Sequence, residues 1–174
     1  MAIQMLLPGF DLGADRFPPG AAGELAGYPR VAPPVLSRHA KEIGRAGELL
    51  VQSALTRLGE RCYVAGEDAS FDLLLMRAEA ALRMQVKTTT NPTTRGYRFQ
   101  MQRGYRGSPD GVRGYAPEDY DLAALVILPH DAVFFTAARA STHLVPCASV
   151  AALRRAPGAS LAAALGDLGL AGAP

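Results

Sequence analysis

Four side chains carry the chemistry that can be read from this sequence: Glu48, Asp72, Gln85 and Lys87. The segment LRMQVKT (82–88) alternates strictly. As a strand it places Leu82, Met84 and Val86 on one face and Arg83, Gln85 and Lys87 on the other. An apolar face opposite an Arg/Gln/Lys face suits a sheet that packs a core on one side and holds a polar site on the other. Asp72 is the single charge in the preceding apolar segment, FDLLLM (71–76). If the two strands pair antiparallel, only a register whose paired numbers sum to an odd value brings Asp72 to the Gln85/Lys87 face. Glu48 lies 24 residues before Asp72, which in turn lies 13 before Gln85. It falls at the edge of the apolar side of a helix, where packing on the sheet would aim its carboxylate at the strand ends.

The elements that must position these groups follow from periodicity. Residues 38–58 read as an amphipathic helix with Ile43, Gly47, Leu50, Val51, Ala54 and Leu58 on one side, Ser37 as its cap and Gly59 as its stop. Gly44 and Gly47 each cost about 1 kcal/mol of helix propensity, which makes sense if the helix backbone lies close to a sheet or a phosphate backbone. Strands are expected at 61–65, 71–76, 82–88, 97–102 and 122–128, with 132–137 as hairpin partner of the last, and a second helix at 148–155. One helix, several strands and a further helix predict an α/β domain whose helices pack against a central sheet, spanning 37–156. Before it, residues 1–36 hold six of the thirteen prolines and five glycines without periodicity, and read as an extended or disordered arm. After it, 157–174 is an Ala/Gly/Leu-rich tail with a short helix over Ser160–Leu168, capped by Ser160.

Composition bounds the rest. A chain of 174 residues with 49% apolar and 20% charged residues is globular in character, with room for one ordinary domain. Cys62 and Cys147 stand too far apart to read as a disulfide framework or a zinc cluster, and are expected as buried small hydrophobes. His39, His130 and His143 show no metal-ligand spacing and are expected on the surface or in loops. No apolar run approaches the ~20 residues of a membrane span, and MAIQMLLPGF lacks the basic region of a secretory signal. The expectation is a soluble, cytoplasmic protein. The net charge of +2 conceals a polarised distribution: from Arg83 to Tyr115 there are seven basic residues and one acid, Asp110, a local charge of +6. Tyr97, Phe99, Tyr105 and Tyr115 are interleaved there with Thr88–Thr90, Asn91, Thr93 and Thr94, which is phosphate-contact chemistry. Arg83, Arg95, Arg98, Arg103, Arg106 and Arg113 are therefore the candidate DNA contacts, and Arg98 shares a polar strand face with Gln100 and Gln102.

Gly44-x-x-Gly47-Glu48 on a helix, Phe71-Asp72 opening a strand and Gln85-x-Lys87 on the next together resemble the PD-(D/E)XK nuclease superfamily. They are most similar to its branch of group I intron-associated homing endonucleases. The resemblance runs from about Lys41 to Ala137 and includes Tyr120-Asp121 before an apolar strand. Phe71 stands in place of proline, and Gln85 stands where most members carry an acid; the intron-associated branch is similar in having Gln there. The resemblance implies a restriction-endonuclease-like α/β core with a central mixed sheet flanked by helices. It implies a metal-dependent endonuclease acting on double-stranded DNA with Mg²⁺, or Mn²⁺ as the alternative ion. Glu48, Asp72, Gln85 and Lys87 would be catalytic. Asp72, the Gln85 amide oxygen, the Val86 carbonyl and Glu48 would hold the metal, and Lys87 would orient the attacking water. Cutting two strands with one site per chain implies a homo-oligomer. The competing expectations are a catalytically inactive nuclease fold acting as a DNA-binding or interaction module, and a small α/β protein whose basic loop binds RNA or a protein partner.

Overall fold

The computed structural model describes residues 21–66, 68–104, 107 and 111–170, and the chain divides into two units, Met1–His39 and Ala40–Pro174. The first twenty residues of the expected arm, Tyr105, Arg106 and Asp110 of the basic stretch and the final AGAP lie outside the described residues.

The first unit is not wholly extended. It holds α1 (Ala21–Glu24) and α2 (Pro33–Arg38). Pro33 and Pro34 occupy the first turn of α2, where a missing N–H costs no helical bond. Arg38 Nη2 lies 2.9 Å from Glu24 Oε1, and His39 Nε2 2.9 Å from Glu24 Oε2. Ser37, expected as a helix cap, is inside α2, and the chain breaks helix at His39 instead.

The second unit opens with α3 (Ala40–Arg57). The strands that follow are β1 (Arg61–Val64), β2 (Leu73–Met76), β3 (Ala81–Thr89), β4 (Tyr97–Gln100), β5 (Gln102–Arg103), β6 (Arg113–Gly114), β7 (Leu122–Ile127), β8 (Ala132–Thr136) and β9 (Thr142–Val145), with α4 (Val150–Arg155) and α5 (Pro157–Asp167) last. Five strands form one mixed sheet in the order β1-β2-β3-β7-β8. β3 and β7 run parallel and the other neighbours antiparallel. The fold is α/β, a central mixed sheet with flanking helices, as the sequence predicts. Two small ribbons, β4–β9 and β5–β6, stand apart from this sheet. β6 and β9 have no counterpart among the expected strands: β6 spans only two residues, and THLV in β9 does not alternate.

Register sorts the side chains into two faces. Leu73 and Leu75 share a face with Leu82 and Met84, and that face continues through Val86 to Leu122, Ala124 and Val126. Helix α3 packs on it. Its buried residues are Gly47, Val51, Ala54 and Leu55, so the stripe is turned toward Leu55, and Leu58 is left 38% exposed. Helix α5 begins with Pro157 rather than at Ser160, because proline fits a first helical turn. Ser160 Oγ accepts instead from the Phe135 N–H at 3.1 Å, tying α5 to the edge strand.

The opposite face, Gln85 and Lys87 with Ala123, Leu125 and Ile127, is covered as well. Tyr97, Phe99 and Met101, with Val145, Tyr120 and Val150, form a second core on Ala123, Leu125 and Ile127. The polar side of β3 therefore borders a packed interior, and Gln85 is only 5% exposed. Buried polar groups there must find partners. No helix among the described residues is long and apolar enough to cross a membrane.

Candidate functional site

The site is set by how closely α3 approaches β3. A Cβ at residue 47 would lie 1.9 Å from Thr88 Oγ1 and 3.0 Å from Thr88 Cβ, so with Thr88 as it stands this crossing is fitted to glycine. A Cβ at residue 44, one turn earlier, would meet nothing within 4 Å, so Gly44 is not needed for packing. Thr88, counted from sequence among the phosphate-contact hydroxyls, instead turns under Gly47, and its Oγ1 is buried without a hydrogen-bond partner among the described residues. Glu48 follows Gly47 directly, half-buried, with Arg45 Nη1 2.8 Å from its Oε2.

Asp72 is held from both sides just ahead of β2. Its N–H donates to the Met84 carbonyl at 3.0 Å, and its own carbonyl accepts from the Ala65 N–H at 3.0 Å. Phe71 packs into the second core. The β2–β3 partners, such as Leu73 with Met84, sum to an odd number, and the register extended by one residue sets Asp72 opposite Gln85. Asp72 Oδ2 accepts the Val86 N–H at 2.7 Å and also the Gln85 Nε2 donor. The same Gln85 Nε2 donates to the Val86 carbonyl at 3.2 Å. Burial pushes the Asp72 carboxyl above the ordinary carboxylate range, and the Glu48 charge adds to that rise. The Val86 N–H, Lys87 and Gln85 oppose it.

Lys87 lies two residues on. Its Nζ donates to the Gln102 carbonyl and to the Tyr115 hydroxyl, both at 2.8 Å. Burial lowers its pKa; Arg103 acts in the same direction, while Asp72 opposes the fall. Tyr115, noted in the sequence only as one aromatic of the basic stretch, is thus a direct partner of the lysine. Nothing in the sequence signals this, since the contact spans 28 residues and depends on the β5–β6 ribbon.

Two carboxylates, an amide and a backbone carbonyl meet the needs of a hard divalent cation, which takes oxygen donors. The donor set fits such an ion in one specific respect. Asp72 Oδ2 and the Val86 carbonyl both already face a positively polarised group, the Gln85 NH₂, and a half-turn of that amide exchanges Nε2 for Oε1. Among the described residues no cluster of three or more His, Cys, Asp or Glu could hold a metal, so Gln85 and the Val86 carbonyl would have to complete the set.

The six arginines nominated for DNA part company. Arg83 is committed to Asp121: Nε and the backbone N–H reach Oδ2 at 2.9 and 2.8 Å, Nη2 reaches Oδ1 at 2.8 Å, and Nη1 donates to the Glu118 carbonyl. The fork clamps the start of β3 to Asp121, the residue before the parallel strand β7. The fork holds the Asp121 carboxyl below the usual range. Arg103 pairs with Asp119 at 3.2 Å. Arg95 and Arg98 are exposed, with no ion pair among the described residues. Arg113 is exposed on β6, and Arg106 lies outside the described residues. Of the remaining residues singled out from sequence, His39 binds Glu24, His130 Nε2 lies 2.8 Å from the Tyr97 hydroxyl, and His143 is half-buried in β9. Cys62 is half-buried, whereas Cys147, expected inside, is exposed at the start of a short 3₁₀ turn.

No protein-family model matches the chain, and no curated protein matches it. Among solved structures it is similar to a bacterial homing endonuclease, I-Ssp6803I, with a TM-score of 0.52 and 17% identity over 60% of this chain and 76% of that one. At that identity the likeness is one of fold: the mixed five-stranded sheet and its flanking helices are arranged as in a homing endonuclease.

Proposed function

We propose that the chain is a metal-dependent DNA endonuclease of the PD-(D/E)XK type. One observation carries the reading: the Asp72 carboxylate meets the Gln85 amide and the Val86 backbone on a single sheet face, with Glu48 within electrostatic reach. The similarity to a homing endonuclease supports a nuclease-type fold for that arrangement.

Asp72, Glu48, the Gln85 amide oxygen and the Val86 carbonyl would hold Mg²⁺, or Mn²⁺ in its place. That ion supplies Lewis-acid charge for the phosphoryl oxygens when bound. Lys87 orients the attacking water and offsets phosphate charge with an ammonium already partly stripped of solvent, where each electrostatic interaction counts for more. Arg95 and Arg98 hold the DNA backbone, with Arg103 and Arg113 on the neighbouring ribbon and Arg106 from the same basic stretch of sequence. The exposed side of β4–β9 sets Arg98 and Gln100 opposite Leu144 and Thr142, a two-stranded ribbon of the width a major groove admits. A second copy of the chain supplies the second cut of a duplex.

The test is cleavage of supercoiled plasmids carrying varied inserts, with Mg²⁺, with Mn²⁺ and with EDTA, beside Asp72→Ala and Lys87→Ala. Cutting that needs the ion and both side chains is the expected result; cutting that survives EDTA or either substitution refutes the mechanism. A second reading, a non-cleaving DNA-binding module, is favoured by one feature: with Gln85 in the set, the donors include two carboxylates and no third. Binding to a duplex without cutting under either metal selects it.

A further inference from the structure

A lysine on a four-carbon stem is a mobile point charge with three donors, so a reaction that uses it must spend entropy to place it. In this chain that cost is met before substrate arrives. Two of the Lys87 donors are taken up by fixed acceptors, the Gln102 carbonyl and the Tyr115 hydroxyl, each at 2.8 Å, and Nζ lies 4.9 Å from the Tyr115 ring centre. The two acceptors are neighbours. Gln102 pairs with Gly114 in the β5–β6 ribbon, and Tyr115 is the next residue. The ring of Tyr115 is fixed in turn, edge-on to Tyr120 at 5.3 Å and 88°. Tyr120 is 2% exposed and lies beneath the Arg139 guanidinium at 4.1 Å. Burial keeps the Tyr115 phenol protonated, so it accepts from Lys87 and retains a proton to donate.

We propose that Tyr115 is a positioning residue for the cleavage reaction: its hydroxyl, together with the Gln102 carbonyl, fixes the point at which the Lys87 ammonium meets the scissile phosphate. The inference rests on the nuclease reading of Lys87. It also joins grip to chemistry. The ribbon that supplies both acceptors carries Arg103 and Arg113, so a shift of that ribbon on a phosphate backbone shifts the lysine with it.

The test is Tyr115→Phe, which removes one oxygen and leaves the ring packed on Tyr120. The sequence holds two lysines, Lys41 and Lys87, so protein labelled with ¹³Cε-lysine gives two resolvable signals. In the unsubstituted protein the Lys87 ε-protons are inequivalent and ordered; in Tyr115→Phe they collapse toward the averaged signal of a free lysine, with Lys41 unmoved as the internal control. On a duplex carrying a mapped cleavage site, the single-turnover rate at saturating protein falls about 10- to 100-fold, the scale of a misplacement near 1 Å, while the dissociation constant stays within about two-fold. An unchanged Lys87 signal overturns the assignment, as does a rate loss matched by an equal loss of DNA affinity. If the unsubstituted protein cuts no duplex, the proposal falls with the nuclease reading, and the spectra separate the two failures. Collapse of the Lys87 signal puts the error in the reading of Lys87; an unchanged signal puts it in Tyr115 as well.

Discussion

Gly47→Ala tests the contact on which the geometry of the site depends. On an isolated helix this change stabilises by about 1 kcal/mol, because alanine is the better helix former. Here the new methyl would sit 1.9 Å from Thr88 Oγ1, 3.0 Å from Thr88 Cβ and 3.1 Å from its Cγ2. Atoms rest at about 3.5 Å or more, so the hydroxyl overlap is about 1.5 Å. One staggered rotamer of Thr88 turns its Cβ hydrogen toward the new methyl and relieves the hydroxyl overlap, but it leaves Thr88 Cβ at 3.0 Å, still tighter than a relaxed contact. Helix α3 must withdraw from β3. Overpacking of this kind costs about 1–3 kcal/mol, so the sign of the net effect reverses from that of a bare helix, to a loss of up to about 2 kcal/mol. The same withdrawal draws Glu48 away from Asp72, and cleavage falls by about 10-fold or more.

The assay is urea unfolding followed by far-UV circular dichroism, since the chain has no tryptophan, with the cycle Gly47→Ala, Thr88→Ala and the double variant. Thr88→Ala removes Oγ1 and Cγ2 and leaves Cβ, so it relieves most of the clash and the double variant recovers stability that Gly47→Ala alone loses. A coupling of about 1 kcal/mol between the two positions is the expected outcome. Gly47→Ala as stable as the unsubstituted protein or more so, with no coupling to Thr88, would show that the helix does not depend on this contact, and the account of how Glu48 is aimed would fail with it.

Asp72→Asn keeps the acceptor for the Val86 N–H but removes a charge that burial raises in free energy. The folded-state pKa of Asp72 is above its unfolded value of 3.8, so its contribution to stability is full below that value and is lost as pH rises through the folded pKa. In EDTA, Asp72→Asn is therefore more stable than the parent at pH 7 and loses this advantage on acidification past about 3.8, read as midpoints of thermal unfolding, while cleavage is abolished. An equal or lower midpoint at neutral pH contradicts the assignment. Asp121 behaves oppositely: its depressed carboxyl contributes stability at neutral pH that is lost as pH falls through its folded value. Arg83→Gln, which removes the charge and cannot reproduce the fork, lowers stability by about 1–3 kcal/mol and leaves the salt dependence of DNA binding unchanged. Arg98→Ala does the reverse, reducing the salt slope by about one with stability held to about 0.5 kcal/mol. A reduced salt slope in Arg83→Gln would return that arginine to the DNA surface.

What the sequence disclosed depended on the range of the interaction. The order of helix and main strands follows from periodicity within a few residues, and a parity rule across one tight connection is enough to say which registers put Asp72 beside Gln85. The parallel pairing of β3 with β7 has no such local cue. Its consequences include the Arg83–Asp121 fork, formed across 38 positions, and the second core that encloses Gln85. One signal of the fork does stand in the sequence, an acid immediately before an apolar strand that could answer an arginine at the start of a parallel neighbour. The partners of Lys87 have none, because Gln102 and Tyr115 are assembled by a ribbon too short for alternation to mark.

The basic stretch shows why linear charge is a weak proxy for surface charge. Its local +6 comes from ending the window at Tyr115, yet Asp119 and Asp121 fold back on Arg103 and Arg83. Those two arginines lie on the strands that flank the site. A phosphate there would compete with a carboxylate already bound to each of them, and would gain only the difference between the two pairings. Arg95 and Arg98 face no such competitor among the described residues and lie where the chain leaves β3 for the β4–β9 ribbon. The electrostatic case for DNA therefore narrows to fewer charges than composition suggests, and these are set beside the strand that carries Gln85 and Lys87. A modest number of unpaired cations next to a buried, oxygen-rich site favours holding one segment of backbone in place over a diffuse attraction to polyanions, and the former is what hydrolysis at a fixed phosphate requires.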